Sequence, residues 1–157
     1  MWKARTLPAL ALLVALAGGT AAGAAADDET TALVNAIRAN RKALVAVNLR
    51  LTDAEAAKFW PVYDRYQAEL AAVQDRLVEV IDDYSARFAT LTDEDGNRIV
   101  RDFLACEADR AKVRQSYAAP FAEALPGKKV ARFYQIENKM DAVLRHELAQ
   151  AIPVVEP

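Results

Sequence analysis

The sequence predicts an all-α protein, an elongated antiparallel helical hairpin or bundle of about four helices. Apolar residues recur every three or four positions through most of the chain, and two Leu-Thr-Asp segments lie where helices should begin. No segment shows the apolar and polar alternation of a strand bounded by turn residues. The composition, 54% apolar and 27% charged over 157 residues, is that of a single globular domain.

The first 26 residues have the three-part order of a secretory signal peptide. Two basic residues precede an apolar run from Leu7 to Ala17, and small residues lead to a cleavage site expected after Ala26. An uncleaved membrane anchor is the alternative, but the glycines and alanines of this stretch give it weak affinity for lipid. We therefore expect a signal peptide at 1–26, a helical domain at 27–157, a periplasmic location and no stable membrane insertion.

The charge balance and the cysteine content narrow the class of protein further. With 20 basic and 22 acidic residues, the chain lacks the positive surface that binding to nucleic acid requires. Cys106 is the only cysteine, so no internal disulfide can form. Its place on the apolar stripe of the third helix favours packing in the core over a disulfide between two subunits.

The first two helices are predicted around a clear boundary. The first covers Thr31 to Asn48, with a polar and basic central turn from Arg38 to Lys42 that we interpret as ordinary helix surface. The second begins after Leu51, where Thr52 and Glu55 have the spacing of a capping box. In that motif each side chain binds the backbone amide of the other, which fixes the start of the helix.

The second helix is predicted to be the long central element, ending near Phe88 or Ala89. Its apolar residues are separated by alternating steps of four and three, the pattern of a helix that packs lengthwise against another. Pro61 lies inside this helix and removes one amide donor, which predicts a kink or a short break. The apolar stripe consists of Phe59, Tyr63, Tyr66, Leu70, Val73, Leu77, Val80 and Tyr84.

The remaining chain predicts two more helices. A third helix begins at Leu91-Thr92-Asp93-Glu94-Asp95 and extends its apolar face to Phe121, with Pro120 disturbing its end. A fourth follows Leu125-Pro126-Gly127 and reaches about Ala151. Because the loop after the second helix is short, helices two and three should form an antiparallel hairpin.

Few residues are candidates for chemistry, and we expect no catalytic residue, no metal and no cofactor. His146 is the only histidine, and Val143 stands where a di-iron bundle would place a glutamate. A group of acidic residues on the second helix is interpreted as a solvated face in preference to a calcium site. These residues are Asp75, Glu79, Asp82 and Asp83.

Four aromatic residues beside Pro61 are the candidate protein-binding surface: Phe59, Trp60, Tyr63 and Tyr66. Either they recognise unfolded or amphipathic protein segments, or they belong to the core. Their position on the stripe favours the core for three of them. Trp60 lies beside the stripe, so we expect it to be partly exposed.

The two helix-start segments, LTDAE and LTDED, resemble the motif of the LTxxQ-motif periplasmic proteins of the Spy and CpxP family. The matching positions are Leu51, Thr52, Leu91 and Thr92, and the fifth positions are Glu55 and Asp95, where the family has glutamine. Two longer stretches, AEAAKFWPVYDRYQAEL and PGKKVARFYQIENKMDAVLRHELAQAIP, are more closely similar to a group of uncharacterised secreted proteobacterial proteins. That second resemblance extends from about Asn48 to Pro153.

The Spy and CpxP resemblance implies a small helical protein that forms cradle-shaped antiparallel dimers. It implies a non-enzymatic chaperone or envelope-stress modulator that binds unfolded or amphipathic protein segments, with the motif residues fixing helix starts. The alternative is a regulatory or assembly module that docks one specific partner protein. A homodimer is also expected because a thin hairpin leaves apolar surface that two copies can bury.

Overall fold

The computed structural model describes residues 39–155, and all regular structure in this range is helical. The helices are α1 at 39–49, α2 at Asp53–Arg87, α3 at Asp93–Ser116, α4 at Ala118–Ala124 and α5 at Gly127–Ala151. A single 3-10 turn, Phe88–Thr90, ends α2. The predicted all-α class and the long second helix are confirmed. The predicted signal peptide and the first turns of the predicted first helix lie outside the described residues.

Both predicted helix starts are confirmed. The Thr52 hydroxyl accepts a hydrogen bond from the Glu55 amide at 3.3 Å, and the Glu55 carboxylate accepts one from the Thr52 amide at 2.8 Å, which completes the capping box. At α3 the Thr92 hydroxyl accepts from the Asp95 amide at 3.2 Å and donates to its carboxylate at 2.7 Å. Each cap satisfies an amide that the start of a helix otherwise leaves without a partner.

The two prolines that lie inside predicted helices have different effects. Helix α2 is continuous through Pro61, so the short break considered from the sequence does not occur there. Pro120 has no amide to donate to the Ser116 carbonyl, and the helix is interrupted nearby at Tyr117, between α3 and α4. The predicted third helix is therefore two shorter helices.

Helix α2 is flanked by α3 on one side and by α5 on another. Two salt bridges show the predicted antiparallel hairpin of α2 and α3: Arg76–Asp109 and Asp83–Arg98, both at 2.7 Å. Helix α5 runs parallel to α2, because Glu55 contacts Lys129 near one end and Tyr84 contacts Pro153 near the other. None of the helices among residues 39–155 combines a bilayer-spanning length with enough apolar character to cross a membrane.

Helix α1 runs antiparallel to α5, and basic side chains of α5 hold its C-terminal end. Arg132 donates to the Asn48 carbonyl at 2.7 Å, and Lys129 donates to the Arg50 carbonyl at 3.1 Å. These cations satisfy carbonyl groups at the negative end of the helix dipole. Arg50 has a φ of 50°, the left-handed conformation that ends many helices.

The apolar core lies at one end of the bundle, where α1, the first half of α2, α4 and the first half of α5 meet. We call this the core end. Its aromatic rings pack closely, with the Phe121 and Phe133 centroids 4.5 Å apart and those of Phe59 and Phe133 5.3 Å apart. The buried residues are Val45, Leu49, Phe59, Tyr63, Tyr66, Leu70, Tyr117, Phe121, Leu125 and Phe133.

Candidate functional site

A group of charged side chains lies where α1, α3 and α5 meet, with Arg41, Glu137 and Asp141 buried and the other two partly buried. This charged cluster consists of Arg41, Arg110, Arg114, Glu137 and Asp141. The Arg41 Nη2 atom donates to Glu137 Oε2 at 2.9 Å and to Asp141 Oδ1 at 2.6 Å. Arg114 Nη1 donates to Asp141 Oδ2 at 2.6 Å, and Arg110 donates to the same oxygen. Three guanidinium groups therefore face two carboxylates.

Neighbouring polar groups form further hydrogen bonds with the charged cluster. The Tyr66 hydroxyl and the Gln67 amide lie 3.4 and 3.5 Å from Glu137 Oε2. Arg114 also donates to the Asn138 side-chain oxygen, and its carbonyl accepts a hydrogen bond from Tyr134 at 2.7 Å. Buried charges are stable only when they are paired and hydrogen-bonded. These contacts meet that requirement for the charged cluster.

The ionisation of the charged cluster follows from these contacts. Burial raises the pKa of Asp141, but the guanidinium groups of Arg41, Arg110 and Arg114 outweigh burial and hold that pKa below its ordinary value. Burial lowers the pKa of Arg41, and the two carboxylates reverse this, so the pKa of Arg41 lies above its ordinary value. Both partners are therefore charged at neutral pH.

The sequence interpretation of Arg41 as helix surface is wrong. Arg41 is 2% exposed because its side chain is directed at α5, where Glu137 and Asp141 accept its hydrogen bonds. Sequence reasoning did not single out either of these carboxylates. Their spacing could have identified them, because an acidic pair at i and i+4 lies on the same face of α5 as the apolar residues Phe133 and Leu144.

Beyond the charged cluster, the second half of α2, the first half of α3 and the second half of α5 form an apolar groove. Its cavity volume is about 540 Å³, and in the described part of the chain it is open to solvent along one side. Each helix contributes apolar side chains to the walls, including Leu77, Val80, Ile99, Phe103, Leu144 and Leu148. We call this part of the bundle the groove end.

Two features define the far side of the apolar groove. The Tyr84 hydroxyl donates to the Pro153 carbonyl at 2.6 Å, which holds the residues after α5 against α2. On α3, Val100 and Phe103 line the groove and are 58% and 44% exposed. Large apolar side chains left this accessible on adjacent turns are typical of interaction surfaces.

The apolar groove ends at the charged cluster. Four charged residues line both the groove and an adjoining polar cavity of about 520 Å³: Glu107, Arg110, Asp141 and Arg145. Arg145 forms an ion pair with Glu107 across α3 and α5. Arg114 and Asn138 also line the polar cavity. The whole site is therefore amphipathic, with apolar walls along its length and charge at one end.

The structure separates the four aromatic residues that the sequence marked as a candidate surface. Phe59, Tyr63 and Tyr66 are fully buried in the core, so they form no surface for a partner in the described arrangement. Trp60 is half-buried, and the Lys42 ammonium lies 5.2 Å from its ring centroid. Of these four residues, Trp60 alone has accessible surface of any size, and it lies far along α2 from the groove end.

The other candidates from the sequence lie apart from the apolar groove. Cys106 is buried, and burial raises the pKa of its thiol, as expected for a packing role. His146 is exposed, with Nε2 2.6 Å from the side-chain nitrogen of Gln150. Within residues 39–155, no three histidine, cysteine or acidic side chains are grouped so that they could hold a metal ion.

The side chains of this site are of types that can take part in binding. Its apolar walls can cover apolar side chains, and its guanidinium and carboxylate groups can orient a charge at one end. No protein-family model, no curated protein and no solved structure matches the chain.

Proposed function

We propose that this protein is a non-enzymatic, periplasmic protein-binding module that takes an apolar or amphipathic segment of another protein into the apolar groove. The observation that carries this proposal is the groove itself, with walls from three helices and a volume of about 540 Å³. That volume lies in the range of functional binding pockets. A groove between helices is also a common site for an amphipathic helix, which inserts anchors from successive turns.

The size of the apolar groove indicates weak and exchangeable binding. Gln74 and Tyr84 of α2 mark its two ends, and ten residues of helix correspond to about 15 Å. About three apolar anchors fit that length. Burying three such side chains contributes roughly 5–9 kcal/mol, and association costs about 4 kcal/mol or more. The net free energy corresponds to dissociation constants of roughly 0.1 mM or weaker.

Weak binding of short apolar anchors supports a chaperone-like function, in line with the resemblance of the helix-start motifs to the Spy and CpxP family. The polar end of the groove favours a second candidate, a regulatory or assembly module that docks one specific partner protein. A charge at one end gives a bound helix a preferred direction, which a dedicated partner would use. The two candidates differ in how many unrelated clients the protein protects.

Light scattering of several unrelated aggregating proteins, with and without a molar excess of the chain, tests the proposed function. We expect the wild-type chain to suppress aggregation and Val100→Asp to lose that effect, because a carboxylate would be placed against the apolar groove. Leu104→Asp is the matched control, since Leu104 is on the same helix, is 57% exposed and is not among the groove-lining residues.

The outcomes of that experiment are distinct. Suppression of only one client would favour the dedicated module. An equal loss for Val100→Asp and Leu104→Asp would move the binding surface to the outer face of α3. No suppression of any client by the wild-type chain at several-fold excess would contradict the chaperone-like function.

A further inference from the structure

We propose that the segment bound in the apolar groove is an amphipathic helix with a carboxylate side chain one turn beyond its apolar stripe. That carboxylate enters the polar cavity and pairs with Arg110, Arg114 and Arg145. This inference rests on the proposed function and adds the chemistry of the partner to it.

The end of the apolar groove at the charged cluster carries an excess of positive charge. Around the polar cavity, the ion pairs of the charged cluster and of Arg145 with Glu107 involve four guanidinium groups and three carboxylates. Counted over residues 39–155, the balance is therefore one positive charge. The carboxylate of Asp141 pairs with Arg41, Arg110 and Arg114 together. It therefore neutralises the positive charges of Arg110 and Arg114 only in part.

Part of this positive charge is accessible from the polar cavity. The Arg41 side chain is 3% exposed and is enclosed by α5, whereas the Arg110 and Arg114 side chains are each 18% exposed. Arg110, Arg114 and Arg145 also line the open polar cavity. A ligand in the cavity therefore meets donor groups of these three arginines without disturbing the buried contacts of Arg41.

Covering the site with a bound helix would raise the free-energy cost of this positive charge. A helix lying in the apolar groove would remove water from its charged end, and an uncompensated positive charge becomes more costly as its hydration is lost. A carboxylate would restore neutrality and can accept two hydrogen bonds from a guanidinium fork. A lysine at the same place would double the imbalance, and a neutral side chain would leave it unchanged.

The two ends of the apolar groove also favour one direction for the bound helix. The end of the groove away from the charged cluster is lined by Tyr84, Ile152, Pro153 and Val154, which carry no charge. The C-terminal end of any bound helix has a partial negative charge from its free carbonyl groups. We therefore place that end of the bound helix at the arginines, with the acidic side chain following the apolar stripe.

Fluorescence anisotropy with three labelled, end-blocked helical peptides tests this inference on the full chain. Each peptide carries leucines at i, i+4 and i+7, and position i+11 is Glu, Gln or Lys. We expect the Glu peptide to bind about fivefold or more tightly than the Gln peptide, and the Lys peptide to bind weakest. The preference should shrink with added salt, because part of it is Coulombic.

Arg145→Gln tests whether the arginines cause this preference. Arg145 is suitable because it is at the surface and its described ion pair is with Glu107 alone. It should reduce the preference for Glu over Gln while leaving the affinity of the Gln peptide nearly unchanged. Arg101→Gln is the control, because its side chain is 72% exposed on α3 and lies outside both cavities. The control should keep the wild-type preference.

The two proposals fail in different ways. Equal affinity for all three peptides, abolished by Val100→Asp, would keep the protein-binding function and overturn the acidic partner. Tighter binding of the Lys peptide would also overturn it. If none of the peptides binds to the folded chain, the groove is not a site for a separate helix and both proposals fall.

Discussion

At the scale of single residues, Asp141 is the carboxylate on which the three arginines of the charged cluster converge. It receives Arg41 from α1 and Arg110 and Arg114 from α3, and it does so from the middle of α5. One carboxylate thereby connects three helices. Since a buried charge that loses its partner is strongly destabilising, the fold should depend on this side chain more than on exposed ion pairs.

Asp141→Asn is therefore expected to lower the free energy of unfolding at pH 7 by about 3–5 kcal/mol. Because the native pKa of Asp141 lies below its ordinary value, its contribution is fully present above pH ~4 and is lost as the pH falls through the native pKa. The difference between the wild type and Asp141→Asn, measured by urea unfolding, should be constant from pH 7 to 5 and narrow below about pH 4.

Asp64→Asn is the control for that measurement. Asp64 pairs with Lys42 at 2.6 Å, but both side chains are more than half exposed, so the expected loss is below about 1 kcal/mol. Similar small losses for both variants would show that the charged cluster contributes little to stability.

The sequence predicted the burial of aromatic residues on the apolar stripe, but it could not predict the burial of individual charged residues. Hydropathy marks Arg41 as polar, and only the packing of α1 on α5 decides that its guanidinium is enclosed. The apolar stripe of α2 correctly placed Phe59, Tyr63 and Tyr66 inside. The same stripe gave no reason to distinguish Leu77 and Val80, which line an open groove, because the distance between helices is not encoded in one helix.

At the scale of helices, local signals carried most of the prediction. Both capping motifs begin helices at the predicted positions, and Gly127 begins α5 directly after Pro126. The predicted third helix is interrupted at Tyr117, three residues before Pro120, which divides it into α3 and α4. These features depend on a few neighbouring residues, so they can be recognised without knowledge of the tertiary structure.

The cap of α2 also connects that helix to α5, since the Glu55 carboxylate accepts a hydrogen bond from Lys129 as well as from Thr52. We expect Thr52→Ala to lower the free energy of unfolding by about 1 kcal/mol, because the first turn of α2 loses a capping oxygen. Chemical unfolding followed by circular dichroism measures this loss.

Thr90→Ala is the matched control for the cap, because Thr90 is exposed in the 3-10 turn and Thr90 caps neither helix beside it. It should change stability by less than about 0.5 kcal/mol. Equal effects of the two substitutions would contradict a specific role for the Thr52 cap.

At the scale of the whole molecule, the bundle has two ends with different surfaces. The core end is filled by aromatic rings, whereas α3 exposes the apolar side chain of Leu104 outside the apolar groove. Two copies could cover such surfaces symmetrically, as the resemblance to cradle-shaped dimers implies.

Sedimentation velocity of the full chain over a range of concentrations tests that association. We expect the sedimentation coefficient to rise with concentration toward that of a homodimer, and Leu104→Asp to shift the equilibrium toward the monomer. A sedimentation coefficient that stays at the monomer value up to high concentration would contradict the dimer.

The hydrogen bond from Tyr84 to the Pro153 carbonyl joins the last turn of α2 to the end of α5, many turns away from the aromatic core. If this contact opened, the two helix ends could separate while Phe59, Phe121 and Phe133 stayed packed. We therefore predict that the groove can widen at this end without unfolding of the core, so that anchors of different bulk can be accommodated.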